Sequence, residues 1–300
     1  MRGPFSADSG PADLGPLAPG LHLVATPIGA ARDITLRALD VLATADVLAA
    51  EDTRTLRRLM DIHGIAPAGR PMVAYHDHNG AKVRPRLLRA LAEGRSVAYA
   101  SDAGTPLVAD PGYRLAREAI AEGHRVHAVP GASAVLAALA VSGLPSDRFL
   151  FAGFPPVSGG ARQAFLREVA AIPATVILYE SPKRVGRLLR ELTDHCGEER
   201  GAALCRELTK RFEEVRRGPL GVLAQQAEDD PPRGEVVVVL DRAAPVPTGP
   251  EAVEAALRAA LERGGVRDAA AEVAAALGLP RRDMYRMALD MMRDEGGQGE

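Results

Sequence analysis

From Leu21 onward, short apolar runs alternate with stretches whose apolar residues recur at helical spacing, and this rhythm constrains the chain more than its composition does. Leu21–Thr26, Val47–Ala50, Met72–Tyr75, Ser96–Ala100 and Arg125–Val129 read as strands. Leu36–Leu42, Leu56–Ile62, Val83–Ala92, Tyr113–Ala121 and Ala134–Val141 read as the helices between them. Strands this apolar have no face to spare for water. Linked by helices, they predict a parallel sheet covered on both sides, with right-handed crossovers. The fold class is α/β, and ligands belong at the carboxyl ends of the strands.

Turn-forming residues at Gly143-Leu144-Pro145-Ser146-Asp147 interrupt the rhythm, placing a boundary between a domain at 20–143 and a second at 144–243. In the second, strands are expected near Phe149–Ala152, Thr175–Tyr179, Ala202–Cys205, Lys210–Arg216 and Glu235–Leu240. Helices are expected around Arg162–Ala171, Arg184–His195 and Leu220–Gln226. Strand follows strand directly across Glu207-Leu208-Thr209, so this α+β domain carries a mixed sheet. Ala243–Gly249, with its prolines, reads as a linker. The tail, 250–295, reads as Glu251–Glu262, Val266–Ala276, a turn at Gly278-Leu279-Pro280, and Arg281–Met292. A helix-turn-helix that docks RNA and a small packed bundle both fit it. Residues 1–19 have neither a basic start nor an apolar stretch and read as a disordered leader rather than a signal peptide.

Composition narrows the partners. With 300 residues, 47% of them hydrophobic, the chain can bury two cores without staples, and Cys196 and Cys205 are too few for a disulfide framework. No apolar run is long enough to span a bilayer, so a reducing cytoplasm is the expected location and no membrane partner is expected. A net charge of -2 is not that of a generally basic nucleic-acid binder. Any RNA contact is therefore local, on clusters such as Arg54/Arg57/Arg58, Arg84/Arg86/Arg89, Lys183/Arg184/Arg187/Arg190 and Arg281/Arg282/Arg286. Each cluster alone also reads as an ordinary solvated helix face.

Three strand-end loops combine glycine with Pro, Ser, Thr or Asp: Ala25-Thr26-Pro27-Ile28-Gly29, Ser101-Asp102-Ala103-Gly104-Thr105-Pro106, and Pro130-Gly131-Ala132-Ser133. Glycine lets the backbone approach a ligand closely. A carboxylate at a strand end suits a ligand with hydroxyl or amino donors, and a helix start after Ser133 leaves N–H groups free. Placed on one sheet edge, the three line one crevice. No dinucleotide, phosphate-loop, zinc-hydrolase or serine-nucleophile motif is present. His76 and His78 share one side of an extended segment but lack a third ligand at a convincing spacing, so no metal is expected.

The segments A-T-P-I-G (25–29), D-I-T-L-R-A-L (33–39), A-A-E-D-T-R (49–54), Y-H-D-H-N (75–79), S-D-A-G-T-P (101–106), A-D-P-G-Y (109–113), V-P-G-A-S-A (129–134), S-G-L-P-S-D-R-F (142–149), Y-E-S-P-K-R (179–184) and R-E-L-T-K (206–210) occur in this order. Through them the chain resembles the tetrapyrrole methylase-like methyltransferases, and within these the ribosomal RNA small subunit methyltransferase I group. The resemblance implies a two-domain class III methyltransferase fold, commonly homodimeric, binding S-adenosylmethionine in the cleft between domains. It carries cofactor contacts onto Pro27, Ile28 and Gly29; Ser101, Asp102, Ala103, Gly104 and Thr105; Gly131, Ala132 and Ser133; and Tyr179, Arg206, Glu207 and Leu208. Two positions depart from the family pattern: Ala30 stands where Asn is usual, and Pro130-Gly131-Ala132 where Pro-Gly-Pro is usual.

The implied activity is methyl transfer to the ribose 2′-hydroxyl of a cytidine in the decoding region of 16S rRNA within the small subunit. Candidates for a base include Asp102, Glu51, Asp52, Glu180, Glu207 and Lys210, of which Glu207, Lys210 and Asp102 are the catalytic candidates. Glu51, Asp52, Arg54, His76, His78, Lys183, Arg184, Arg281 and Arg282 are the candidate substrate contacts. With only 4% aromatic residues, stacking platforms reduce to Tyr75, Tyr113, Tyr179 and Phe154 near the loops. A small-molecule methyltransferase and a non-catalytic ribosome-assembly protein that binds RNA remain as alternatives, separated by whether cofactor and RNA are both used.

Overall fold

A computed structural model describes residues 15–243, 249–277 and 279–296. The chain divides into two compact units, Met1–Arg242 and Ala243–Glu300. The first unit begins with β1 (Gly20–Val24), α1 (Leu36–Thr44), β2 (Val47–Ala50), α2 (Thr53–Ile62), β3 (Met72–Ala74), α3 (Gly80–Ala92), β4 (Ser96–Ala100), α4 (Tyr113–Ala121), β5 (Val126–Val129) and α5 (Ala134–Ser142). Its strands form one parallel sheet in the order β3-β2-β4-β1-β5. One face packs on α3 and α4 through Leu87, Leu88, Leu91 and Leu115, the other on α1 and α2 through Val41, Leu42, Leu56 and Met60. Both faces are thus covered, as the uninterrupted apolar strands require.

The second half contributes β6 (Phe149–Gly153), α6 (Gly159–Ala171), β7 (Thr175–Glu180), α7 (Val185–Cys196), β8 (Gly201–Arg206), β9 (Glu214–Pro219), α8 (Leu220–Asp229) and β10 (Val236–Leu240). The sheet order is β6-β7-β10-β8-β9, with β6 and β7 parallel and the other pairs antiparallel, so the sheet is mixed. Helices α6, α7 and α8 cover one face through Leu166, Leu188, Leu192 and Leu223. The other face is covered by α5, whose Val135, Ala138 and Leu139 pack on Ile177, Ala203, Val237 and Val239. Helix α5 thus leaves the first sheet and roofs the second, with Leu136 exposed on its outer side.

Some edges differ from the pattern read along the chain. Helices α2 and α3 start earlier than their apolar periodicity suggests, α2 because Asp52 caps it by accepting the Arg54 N–H at 2.8 Å. The last-but-one strand starts at Glu214 rather than Lys210. Glu207 and Thr209 adopt left-handed φ values of 48° and 63°, and the Lys210 N–H bonds back to the Glu207 carbonyl, so 207–210 is a turn. The first strand stops at Val24, and Thr26 instead bridges to Gly104. Of the expected leader, 1–14 lie outside the described residues, while Leu17 packs against the first sheet's core. Most of the expected linker, 244–248, also lies outside them, as does Gly278 of the tail's turn.

The second unit holds α9 (Pro250–Leu261), α10 (Val266–Leu277) and α11 (Arg281–Gly296) around a small core of Val253, Leu257, Ala269, Ala270, Val273 and Ala288. The alanines permit the close helix approach. Among the described residues, no helix is long and apolar enough to cross a membrane.

Leu178 sits fully buried in β7, between the second sheet and α7. Leu178→Ala is expected to cost about 2–5 kcal/mol, read as a lowered midpoint in urea unfolding.

Candidate functional site

The site grows from the carboxyl edge of the parallel sheet. Past the ends of β1 and β4 the chain keeps pairing: the Thr26 N–H donates to the Gly104 carbonyl at 2.9 Å and the Gly104 N–H returns to Thr26 at 3.0 Å. The Thr26 hydroxyl donates to the Ser101 carbonyl at 3.1 Å, and the Ser101 hydroxyl to the Gly104 carbonyl at 2.7 Å. The Thr105 hydroxyl reaches the Ala132 carbonyl at 3.0 Å, which joins the second loop to the third. Gly131 lies so close to Ala25 that a Cβ there would stand 2.9 Å from the alanine's methyl. The three loops read from the sequence therefore form one laced edge.

Facing this edge across a cavity of about 320 Å³ is the end of the second sheet. Ile28, Ala103, Gly104, Thr105, Ser133 and Ala134 line it from the first sheet, and Tyr179, Glu180, Val236 and Val237 from the second. Phe154 closes the rim, its ring edge-on to Tyr179 with centroids 5.4 Å apart. Burial pushes the Tyr179 phenol up to about 12, so it stays protonated. The Ser133 side chain makes no cap bond. The cavity is mostly apolar, with a few convergent polar groups, as small-molecule sites are.

Several sequence candidates lie just behind this wall rather than on it. Pro27, Gly29, Gly131, Ala132 and Ser101 shape the loops; a Cβ on Gly29 would meet Lys210 Cγ at 2.5 Å. Leu208 is buried beside Ile28, while Arg206 and Glu207 line an open groove next to the cavity, together with Lys183 and Phe212. Asp102 accepts the Asp52 N–H at 2.9 Å and braces β4 against β2. Lys210 is gripped by Glu207 at 2.9 Å and Glu235 at 2.8 Å. Burial works against its charge, but these two bonds outweigh it and raise its pKa, so Lys210 is a fixed cation. Glu207, accepting the Glu235 N–H and Lys210, is held below the usual carboxylate range.

Glu180 is fully buried and occupied. It accepts the Ser181 N–H at 2.8 Å, pairs with Arg184 at 2.6 Å, and meets the buried Arg162 at 3.4 Å. Asp52, besides capping α2, pairs with exposed Arg54, and these bonds hold its carboxyl at about 2. His76 lines a second cavity of about 310 Å³, with Arg84, Tyr113 and Arg114; exposed His78 stands 6.0 Å from it, ring to ring. Tyr75 also reaches that cavity, but it is buried edge-on against Tyr99 and offers no stacking face. Arg281 and Arg282 open α11 in the other unit, both exposed. Among the described residues no group of three or more His, Cys, Asp or Glu is placed to hold a metal.

Residues 20–224 match the family described as Tetrapyrrole (Corrin/Porphyrin) Methylases. The chain is 49% identical over 287 residues to a ribosomal RNA small subunit methyltransferase I of Mesorhizobium japonicum, covering 95% of this chain and 96% of the relative. The chain belongs to the tetrapyrrole methylase family, in its ribosomal RNA small subunit methyltransferase I group. The Pseudomonas aeruginosa member of the group is 43% identical over 274 residues, 90% of this chain and 96% of its own. A uroporphyrin-III C-methyl transferase from Thermus thermophilus, solved with S-adenyl homocysteine, shares the fold with a TM-score of 0.51 and 22% identity over 74% of this chain and 97% of that one. Residues 247–292 match the RsmI C-terminal HTH domain.

Two features of this methylase were not named as site residues from the sequence. Asp110, in the A-D-P-G-Y segment, lines both cavities. Arg162, in α6, is fully buried and holds Glu191 at 2.6 Å as well as Glu180, which fixes the Y-E-S-P turn at the cavity wall. The sequence signal for Asp110 is its place beside the glycine turn that opens α4; Arg162 has none, because its burial arises from long-range packing. Arg162→Met removes the buried cation that Glu180 and Glu191 share and is expected to cost about 3–5 kcal/mol by urea unfolding, part of it recovered when Glu180→Gln is added.

Proposed function

We propose that this chain transfers a methyl group from S-adenosylmethionine to the ribose 2′-hydroxyl of a cytidine in the decoding region of 16S rRNA, presented in the small subunit. The observation that carries the reading is the laced loop edge facing the second sheet across an apolar cavity, in a chain of this methyltransferase group. The lining suits the cofactor. Its aliphatic walls, Ile28, Ala103, Ala134 and Val237, take an apolar ring, and the N–H groups opening α5 suit a carboxylate. Ile28, Ala103, Gly104, Thr105, Ser133 and Tyr179 are the residues that would hold it. When bound, the cofactor supplies a methyl already activated on a sulfonium, which leaves alignment and proton removal to the protein.

The chain's own residues supply both. Bonds from Thr26, Ser101 and Thr105 hold the loops in one conformation, and alignment of reactants can contribute roughly 7–11 kcal/mol. Lys210, caged by two carboxylates, ties the 207–210 turn to Glu235 at the cavity rim rather than accepting a proton. The substrate is recognised through phosphate by local cations: Lys183 beside the cavity, and Arg281 and Arg282 on the helical unit, which serves as an RNA-docking element. Domains at 20–143 and 144–243, a homodimer and a cytoplasmic location complete the proposal.

Labelled methyl from S-adenosylmethionine is expected on small subunits from a strain lacking the protein, resistant to base removal, and absent from large subunits; label on the base or on neither subunit would overturn the reading. Arg281→Glu with Arg282→Glu is expected to raise KM for small subunits at least tenfold, to flatten its salt dependence, and to leave cofactor Kd unchanged, as measured by calorimetry.

A further inference from the structure

We propose that Asp110 is a catalytic residue of the transfer, accepting the proton of the attacking ribose hydroxyl from a nucleotide seated in the second cavity beside His76, Tyr113 and Arg114. The inference rests on the function proposed above and assigns the base and the substrate pocket of that same site. The two cavities share one lining residue, and it is Asp110. The first is walled by the loops that would hold the cofactor. The second is walled by Tyr75, His76 and Asp77 and by the start of α4, with the cations Arg84 and Arg114 and the exposed ring of Tyr113. A methyl donor on one side and a hydroxyl on the other meet at the shared wall.

Position and availability both select this carboxylate. Asp102 is spent on the Asp52 N–H, Asp52 on α2 and Arg54, Glu180 on Arg162 and Arg184, and Glu207 on Lys210. Glu51 lines neither cavity. Among the described residues, Asp110 has no hydrogen bond or ion pair. Its backbone is held in a costly shape: Leu107 and Ala109 adopt φ of 72° and 60°, and the Tyr99 hydroxyl clamps the Pro111 carbonyl at 2.9 Å. Five non-glycine residues among those described have left-handed φ, and four of them, Leu107, Ala109, Glu207 and Thr209, flank the first cavity or the groove beside it. Strain of this kind persists where the surroundings enforce it, and here it presents one carboxyl to two cavities.

In the step, the hydroxyl oxygen bonds to the methyl carbon as the carbon–sulfur bond breaks, and the bonding pair leaves with sulfur, which becomes a neutral thioether. The hydroxyl proton passes to Asp110 and then to solvent through the second cavity. Burial, then the charges of Glu51 and Asp102, push the Asp110 carboxyl up to about 7. The other titratable and charged groups around it are Tyr99 from β4, Tyr179 and Glu180 from β7, and Glu235 before β10. The second cavity adds Tyr75, His76 and Asp77, Arg84 of α3, and Tyr113 and Arg114 of α4. A base must be deprotonated, so activity rises with pH and levels off above about 7. Stability runs the other way. A raised folded pKa favours folding when protonated, and that contribution fades as pH climbs from the ordinary carboxylate range to about 7.

The test is Asp110→Asn. Expected are a loss of at least about 10² in kcat on small subunits, loss of the inflection near 7, cofactor Kd and small-subunit Kd within about twofold of wild type, and a Tm advantage over wild type that widens between pH 4 and pH 7. A variant within tenfold of wild type with the inflection intact overturns the assignment, as does one whose cofactor Kd rises in step with its loss of rate. Should the variant not fold, the wild-type profile decides, because a rate flat from pH 6 to pH 8 overturns it too. Arg114→Glu is expected to raise KM for small subunits at least tenfold at constant cofactor Kd; an unchanged KM removes the nucleotide from the second cavity. No transfer by the wild-type chain would overturn the function itself, a different failure from an active Asp110→Asn.

Discussion

The reciprocal main-chain bonds between Thr26 and Gly104 are what the site depends on. The parallel ladder of β1 and β4 ends at Val24 and Ala100, and without further pairing the following loops would have to satisfy their polar groups with water. Instead the pairing continues past the sheet. The buried hydroxyls of Thr26 and Ser101 satisfy two further carbonyls, and Thr105 carries the lacing on to Ala132. A buried group left unpartnered costs more than a bond gains, so each bond makes the alternatives to the next one costly. The result is an edge whose conformation is settled before any ligand arrives.

The second constraint is α5. A crossover helix of the first sheet would ordinarily pack back on that sheet, but Val135, Ala138 and Leu139 lie on Ile177, Ala203 and Val239 of the second. The two sheets are thereby fastened into one compact unit, although turn residues separate their strands along the chain. Fastening also comes from the other direction: Gly29 approaches Thr209 and Lys210 so closely that any side chain would collide, and the Ala30 N–H donates to the Thr209 hydroxyl at 3.1 Å. The cavity is the space these two contacts leave between them.

What could be read along the chain was whatever has a local signature. Alternating apolar runs gave the strands of both sheets within a residue or two for most elements, and clustered Gly, Pro, Ser and Thr gave the loops. The start of β9 was misplaced because Lys210, Arg211 and Phe212 have no forbidding composition; the turn there comes from left-handed φ at Glu207 and Thr209, which sequence does not encourage. Roles within the site were harder. Asp102, Glu180 and Glu207 carry no mark of their long-range partners along the chain, and each is engaged by one: the Asp52 N–H, Arg162 of α6, and the Glu235 N–H. Asp110 resembled one more turn aspartate until two cavities were seen to meet at it.

A chain of net charge -2 gains little from general attraction to phosphate, and its arginines are largely committed: Arg84 to Glu118, Arg187 to Glu191, Arg190 to Glu228, Arg286 to Asp283. An arginine already paired must give up a carboxylate to take a phosphate, so it adds little net affinity and some discrimination against poor fits. Cations without such partners among the described residues, Arg114 at the second cavity, Lys183 at the groove, and Arg281 and Arg282 on α11, would on the proposed reading take a phosphate without that exchange. On the proposed reading, a few such cations on each unit would hold a substrate weakly one at a time, so affinity for a folded ribonucleoprotein would come from several contacts summed.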